Sequence, residues 1–234
     1  VGMALTLRPL FAVEPTAWYL ADNLDPRLIH WIVEWGYHAL FELGSWQAFW
    51  DTNAFATHPQ PMTVSDSFLG LHLFYAPARL CGFAPLTSLY LACAGFAALA
   101  CVLFDGLLVN LGITDPLRRS FLTYFSHFCL PSVTFLYHYQ LFAFLFGPVI
   151  LLAMIAFFHS GKATHLALAC FPYTLGTVTT PYLGPFILML AWILVLPEVY
   201  GRWRQGQLVA QLRLWASKRN LAVALGAAGL LLAG

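Results

Sequence analysis

Acidic, histidine and tryptophan side chains are concentrated between Asp25 and Pro77, although only 9% of the residues in this chain are charged. A carboxylate in this segment, on Asp25 or Asp66, is able to accept a proton as a general base, and arginine or histidine is able to stabilise a phosphate. Ionisable groups are costly in an apolar chain and are commonly functional. The segment therefore predicts a reaction or binding site beside the apolar segments.

The two acids also have simpler structural explanations. Asp25 precedes Pro26, a combination that favours the start of a helix with the carboxylate as its N-cap. Asp66 follows Ser65, which can cap a helix, and an acid in the first helical turn interacts favourably with the helix dipole. Capping and catalysis therefore both remain open for these residues.

His30, Glu34 and His38 follow one another at intervals of four residues, so their side chains share one face of a helix. Two imidazoles and a carboxylate are ligands that zinc accepts, although the spacing differs from the H-E-x-x-H motif. We favour a solvated or substrate-facing polar stripe over a metal site. His138, between two tyrosines, is most simply a loop histidine at the membrane surface.

The composition indicates a helical membrane protein. Hydrophobic residues make up 60% of the 234 residues, and the mean hydropathy is +0.74. Apolar runs of about 20 residues cross the hydrocarbon core of a bilayer as helices. The sequence therefore predicts an all-α, polytopic transmembrane bundle. The net charge of +1 and the absence of a long basic run give no reason to expect nucleic acid as a partner.

Apolar and polar segments alternate within a single predicted transmembrane domain. Both terminal apolar segments are too short to cross a bilayer, which suggests a piece of a longer protein. The predicted parts are a partial first span at 1–24, an external loop at 25–84, about five spans at 85–198, a basic loop at 199–220 and the start of a last span at 221–234.

The individual spans differ in how clearly the sequence defines them. Pro85–Leu108 and Leu141–Phe158 are predicted as clear spans. The aromatic segment Phe121–Tyr137 is predicted as a span, either a regular one or one that is tilted and kinked. Asp115 and the proline that follows it are predicted to form a helix-breaking turn. Thr164–Leu196 is long enough for two short spans, or for one span and a re-entrant segment.

Lys and Arg residues mark the cytoplasmic side of a membrane protein. Arg118, Arg119, Lys162 and the cations of Glu198–Asn220 fall on one side if the spans between them form hairpins. That side is predicted to be cytoplasmic. The segment Asp25–Pro77 is then exoplasmic.

Two amphipathic helices are predicted in the exoplasmic segment, and both are expected to lie along the bilayer surface. The first, Pro26–Leu43, carries an apolar face made of Leu28, Ile32, Trp35, Ala39 and Leu43. The second begins at Asp66 and ends at Pro77, with an apolar face made of Phe68, Leu69, Leu71, Phe74 and Tyr75.

The order of these motifs resembles a known family. The pattern D-P-x4-W-x3-W-x2-H-A-L begins at Asp25, W-D-T-N-A-F begins at Trp50, and S-D-x2-L-G-L begins at Ser65. A later Y-H-Y-Q-L run precedes a span that contains Gly147 followed by proline. These motifs are similar to the first exoplasmic loop and a later span of bacterial integral-membrane glycosyltransferases of the GT-C type, and the resemblance covers about residues 24–196.

The resemblance implies a fold and an activity. The expected fold is GT-C-like, with a long exoplasmic first loop that carries two interfacial helices. The implied enzyme is a glycosyltransferase that is embedded in the bacterial inner membrane and uses a polyprenyl-phosphate sugar as its donor. Other membrane proteins are possible partners of such an enzyme. No cofactor is certain, and a divalent cation is a possibility that the family leaves open.

The resemblance also implies roles for individual residues. An acid at the start of the loop acts as general base in this family, which assigns that role to Asp25. Asp66 is expected to orient the acceptor or to bind a divalent cation together with Asp25. The predicted substrate-binding residues, several of which could neutralise the lipid phosphate, are Arg27, His30, Glu34, His38, Arg79 and His138.

Two other classes of protein remain as alternatives. A non-catalytic, transferase-like subunit could act as a scaffold in a larger membrane complex, with its 20 phenylalanines packing against partner helices. A transporter would use Pro131, Gly147 and Pro181 as breaks in its helices. The chain offers no intramembrane relay of charges in support of transport.

Overall fold

The computed structural model describes residues 25–52, 60, 62, 65–128 and 139–233, apart from a few side chains at the edges of these ranges, that of Asp25 among them. This part of the chain is helical and contains no strand, which confirms the predicted all-α class. Its α-helices are α1 Asp25–Tyr37, α2 Trp46–Trp50, α3 His72–Leu80, α4 Pro85–Asn110, α5 Pro116–Phe128, α6 Gly147–Ser160, α7 Ala163–Thr179, α8 Leu183–Arg204, α9 Leu208–Trp215 and α10 Lys218–Ala233.

Shorter helical turns lead into or out of three of these helices. A π-helical turn, His38–Glu42, continues α1. The 3-10 helices Leu69–Leu71 and Tyr139–Phe146 lead into α3 and α6.

Within the described residues, three helical segments are long and apolar enough to cross a membrane. They are Pro85–Asn110, Phe142–Ser160 and Leu183–Arg204. The first two correspond to the clear spans that the sequence predicts. The long segment Thr164–Leu196 forms two helices, α7 and α8, which are separated at Thr180–Tyr182.

Asp115 and Pro116 start a helix rather than break one. The carboxylate of Asp115 accepts hydrogen bonds from the backbone N–H groups of Leu117 and Arg118, at 3.2 and 3.3 Å. Proline at the first helical position needs no hydrogen-bond partner for its nitrogen. Helix α5 therefore begins five residues before the predicted span 121–137, whose second half lies outside the described residues.

The core lies where α1, α3, α4 and α6 meet. The side chain of Phe96 in α4 is fully buried, and its ring lies 5.2 Å from that of Phe146 and 6.1 Å from that of Phe74, centre to centre. Gly95 allows the approach of α3, because a Cβ atom at Gly95 would lie 2.6 Å from the ring of Phe74. This packing holds α1 and α3 against α4.

Hydrogen bonds join loops at the two ends of the bundle. At one end the Ser67 hydroxyl donates to the Val178 carbonyl at 2.6 Å. At the other end the Trp215 indole donates to the Phe158 carbonyl at 3.3 Å, and the Asn220 amide donates to the Gly161 carbonyl at 3.0 Å. The predicted exoplasmic segment is therefore bonded to the end of α7, and the predicted cytoplasmic segment Glu198–Asn220 is bonded to the end of α6; their sidedness remains a prediction.

The first amphipathic helix is present, but the residues that face the core differ from those that were predicted. The buried apolar side chains of α1 are Ile29, Ile32, Val33 and Tyr37, whereas Leu28 is 41% exposed. Beyond α1, the π-helical turn adds a residue to the last turn, since the Leu43 N–H bonds to the His38 carbonyl five residues earlier. This shift leaves Leu43 exposed and ends the predicted apolar face at Ala39.

The second amphipathic helix starts and ends later than predicted. Asp66 lies in an irregular loop, and Phe68 adopts a left-handed conformation with φ of 52° before the helical turns begin. Helix α3 then continues through Pro77 to Leu80. The loop forms because its polar groups bond to the end of α7, an interaction between distant segments that no local pattern shows. Phe68, Leu71 and Tyr75 are buried, as expected.

Candidate functional site

Glu34 is the centre of a polar cluster between α1 and α3. The Arg79 guanidinium donates from Nη2 to Glu34 Oε1 at 2.8 Å and from Nε to Glu34 Oε2 at 3.1 Å. The Tyr75 hydroxyl donates a short hydrogen bond to Glu34 Oε2. Burial, followed by this bond to Glu34, raises the pKa of Tyr75, so that its hydroxyl stays protonated and remains a donor.

Arg79 is also fixed on its other sides. Its Nη1 donates to the Phe83 carbonyl at 2.8 Å, and its Cζ lies 5.2 Å from the centre of the Tyr37 ring. A two-pronged pair of this kind neutralises the guanidinium and fixes its plane. Arg79 and Glu34 therefore link α1 to α3, and Arg79 is poorly placed to bind the phosphate that the sequence assigned to it.

The predicted polar stripe does not converge on one site. His38 pairs with Glu42, with Nδ1 2.6 Å from Oε2, while Glu34 turns towards Arg79. Burial lowers the pKa of His30, and the nearby Glu34 carboxylate opposes this effect in part. Within the described ranges no group of three or more His, Cys, Asp or Glu side chains is arranged to hold a metal ion.

Three predicted site residues lie elsewhere. Arg27 is exposed at the start of α1. The side chain of Asp25 and the whole of His138 lie outside the described residues. The structure therefore brings together Glu34, Arg79 and the neighbourhood of His30 and leaves the other predicted partners apart from them or outside the described residues.

A second polar feature is the loop of residues 65–68, which we call the Asp66 loop. The Ser67 hydroxyl and the Phe68 N–H donate to the carbonyls of Val178 and Thr179, the last residues of α7. The carbonyls at a helix end lack partners within the helix, so the loop satisfies two of them. Gly70 allows this contact, because a Cβ atom there would lie 2.1 Å from Thr179 Oγ1.

Asp66 has the environment of a reactive carboxyl group. Its side chain is partly buried, and burial raises its pKa to about 6. No ion pair to Asp66 occurs in the described part of the chain, so the charged form gains little compensation there. Burial and the Asp66 charge together raise the pKa of Tyr182, which precedes α8, to about 12.

Two largely apolar cavities lie along α7 beside the Asp66 loop, and we call them together the α7 groove. Their volumes are about 300 and 290 Å³, and Val178 of α7 lines both. The cavity next to the loop is lined by both serines that flank Asp66, together with Trp50, Thr177, Pro181 and Leu231. The other cavity is lined by Trp46, Leu69, Phe171, Thr174, Leu175 and Leu230.

The arrangement combines two chemical capacities. A carboxyl group with a pKa near 6 is largely ionised at pH 7, and it is a stronger base than an ordinary aspartate. The apolar walls of the α7 groove suit a hydrocarbon chain, and the Ser65 hydroxyl in the wall of the cavity suits a polar group at the end of that chain.

Sequence reasoning identified Asp66 and missed its surroundings. Tyr182 and the end of α7 were visible only as a Thr- and Pro-rich interruption of an apolar segment. Tyr75 was assigned to an apolar face, although its hydroxyl bonds to Glu34, which lies 41 residues away in the chain. No spacing rule predicts such a pair.

The described part of the chain is helical, and three of its helices are long and apolar enough to span a bilayer. These features are those of a helical membrane protein. Comparisons of the chain with protein families, with curated proteins and with solved structures find no match.

Proposed function

We propose that the protein is a membrane glycosyltransferase that moves a sugar from a polyprenyl-phosphate donor to an acceptor hydroxyl at the Asp66 loop. The observation that carries this proposal is the partly buried Asp66, whose two neighbouring serines line an apolar cavity. The GT-C-like fold that the sequence motifs suggest is part of the same proposal. The membrane is the bacterial inner membrane, and the reaction takes place at its exoplasmic face.

In the proposed reaction the acceptor oxygen attacks the anomeric carbon of the donor sugar. The bond from that carbon to the phosphate oxygen breaks, and polyprenyl phosphate leaves with the electron pair. The acceptor proton passes to the Asp66 carboxylate, whose raised pKa favours proton acceptance. The α7 groove would hold the isoprenoid chain close to the reacting carbon.

The sequence assigns the base to Asp25 instead, and that assignment remains open. Asp25 begins α1, and the structure describes its backbone alone. We assign the base to Asp66 because its side chain is partly buried, which raises its pKa to about 6, and because both flanking serines line a cavity. Arg27, His30 and His138 stay as candidates for the lipid phosphate, whereas Arg79 is already paired with Glu34.

A non-catalytic membrane subunit is the second candidate. The observation in its favour is the Glu34–Arg79 pair, which uses two of the predicted substrate-binding residues to join helices. In that case the α7 groove would hold ordinary lipid chains, and Asp66 would be a buried acid without a substrate.

Mass spectrometry of lipids that copurify with the protein separates these candidates. The proposal predicts that a polyprenyl phosphate or its sugar ester is retained, and that substituting Val178→Trp in the wall of the α7 groove removes it. A matched substitution on the exposed face of α4, Val102→Trp, should leave retention unchanged. Retention of ordinary phospholipids alone would contradict the enzyme proposal and favour the subunit.

A further inference from the structure

The end of the bundle opposite the Asp66 loop carries a concentration of positive charge. Five of the eleven Lys and Arg residues of the chain lie between residues 202 and 219, where no acid occurs. We call this set the basic collar, and its members are Arg202, Arg204, Arg213, Lys218 and Arg219.

Helix α9 lies at the level where two apolar helices end. The spans α6 and α8 end at Ser160 and Arg204. The Trp215 ring of α9 lies 4.8 Å from that of Phe158, and its indole donates to the Phe158 carbonyl. This contact holds α9 beside the last turn of α6, where a helix that spans a bilayer would leave the hydrocarbon core.

Exposed side chains at this boundary are of the kinds that occupy a lipid interface. Tyr200 and Trp203, near the end of α8, are exposed, and aromatic rings of this type lie at the headgroup level. In α9 Val209 and Leu212 are also exposed, and Arg213 follows directly. Apolar groups of this helix can enter the acyl region while its cation remains among the headgroups.

Most of the collar's charge is available to a ligand. Arg202 pairs with Glu198 at 2.7 Å, and Arg204 lies over the Tyr200 ring. Arg213, Lys218 and Arg219 are exposed, and no carboxylate in the described part of the chain pairs with them. Three cations held beside an aromatic and apolar surface complement a layer of lipid phosphates.

We propose that the basic collar binds the phosphate groups of anionic phospholipids in the leaflet that it faces. Cations near an anionic membrane surface attract its phosphates over about one Debye length. Arg213 and Arg219 would donate hydrogen bonds to phosphate oxygens, and Lys218 would act as a point charge. This binding does not depend on the enzymatic activity proposed above.

The test uses the full chain in nanodiscs made from phosphatidylcholine with about one third phosphatidylglycerol, at low salt. The protein is then extracted in detergent, and mass spectrometry measures the ratio of phosphatidylglycerol to phosphatidylcholine that it retains. Enrichment means that this ratio exceeds the ratio in the nanodisc. We expect enrichment of phosphatidylglycerol for the parent protein. Substituting Arg213→Gln, Lys218→Gln and Arg219→Gln together should reduce the enrichment by about fivefold or more, the scale expected for losing even one interfacial cation.

Three controls define the result. The charge-conserving variant Arg213→Lys with Arg219→Lys should keep the enrichment, and so should Gln205→Ala, which changes an exposed uncharged side chain in the same segment. Thermal unfolding midpoints show whether each variant remains folded. Equal retention of both lipids by the parent, full enrichment in the triple variant, or equal stabilisation by inorganic phosphate and by phosphatidylglycerol would overturn the proposal.

Discussion

Two residues of the segment Asp25–Pro77 show how the environment decides the role of a charged side chain. Arg79 donates to both carboxylate oxygens of Glu34 and to a backbone carbonyl, so its charge is used inside the protein. Asp66 is partly buried and has no ion pair within the described ranges, so its charge is destabilised. The paired group stabilises the fold, whereas the unpaired acid is suited to chemistry.

The raised pKa of Asp66 predicts a dependence of stability on pH. The carboxyl has a pKa of about 6 in the folded protein, compared with 3.8 ordinarily, so the folded state binds more protons between these values. Stability should therefore fall as pH rises from about 4 to 6. Asp66→Asn should be about 1–2 kcal/mol more stable than the parent above pH 6, allowing for solvent screening, and the difference should vanish below pH 4.

Unfolding in detergent across this pH range measures the effect. Asp51→Asn, at an exposed position in the same segment, is the matched control and should show no such pH dependence. An Asp66→Asn variant that is less stable than the parent at pH 7 would show that the carboxylate has a partner.

Glu34→Gln should destabilise the protein, because it leaves the Arg79 guanidinium partly buried and without its counter-charge. The expected loss in the free energy of unfolding is about 1–3 kcal/mol. Glu42→Gln removes an acid from the more exposed His38–Glu42 pair and should change stability by less than about 0.5 kcal/mol. Equal losses in the two variants would argue against the structural role of the Glu34 cluster.

At the scale of elements, the sequence periodicity predicted where amphipathic helices occur more reliably than which of their faces is buried. An amphipathic helix was expected at residues 26–43, and α1 with its π-helical turn fills this range. The buried face is rotated, because α1 packs through Ile29, Val33 and Gly36 against tertiary neighbours that the pattern does not contain. The start of α3 was misplaced because the Asp66 loop bonds to α7 instead of forming a helical turn.

Gly36 is a position of close contact between α1 and α3. A Cβ atom there would lie 2.7 Å from the His72 imidazole and 2.9 Å from the Phe49 ring, and His72 is buried with its nitrogens at the carbonyls of Val33 and Phe68. Gly36→Ala should therefore destabilise the protein by about 1–3 kcal/mol.

Gly106→Ala is the control for the helix propensity of alanine. Gly106 lies inside α4, and no atom would lie within 4 Å of an added Cβ. This variant should be neutral or up to about 1 kcal/mol more stable than the parent. If Gly36→Ala were also neutral, the two helices would be farther apart than described.

At the scale of the whole molecule, the sequence predicted a helical membrane protein, and three apolar helices among the described residues agree with it. It also marked Asp66, although the α7 groove depends on contacts among α2, α7 and α10 that only the fold creates. The assignment of the two ends to the two sides of the membrane follows from the positions of Lys and Arg and remains a prediction.

Chemical labelling tests this orientation. Cys81 is exposed after α3, on the side predicted to be exoplasmic. A maleimide that cannot cross membranes should label Cys81 in intact cells. In a Cys81→Ser background, Gln207→Cys should be labelled only after the membrane is opened, since Gln207 lies in the exposed turn before α9. Labelling of Gln207→Cys in intact cells would reverse the proposed topology.

The most direct test of the central proposal is sugar transfer from a polyprenyl-phosphate donor in nanodiscs by the parent protein and by Asp66→Asn. Asparagine keeps the size of the side chain and cannot accept a proton from the acceptor. We predict that the parent transfers sugar and that kcat falls by about 100-fold or more in Asp66→Asn while this variant remains folded. The control Asp51→Asn should have the same kcat as the parent. Normal turnover by a folded Asp66→Asn variant, or its loss only in Asp25→Asn, would contradict the assignment of the base to Asp66.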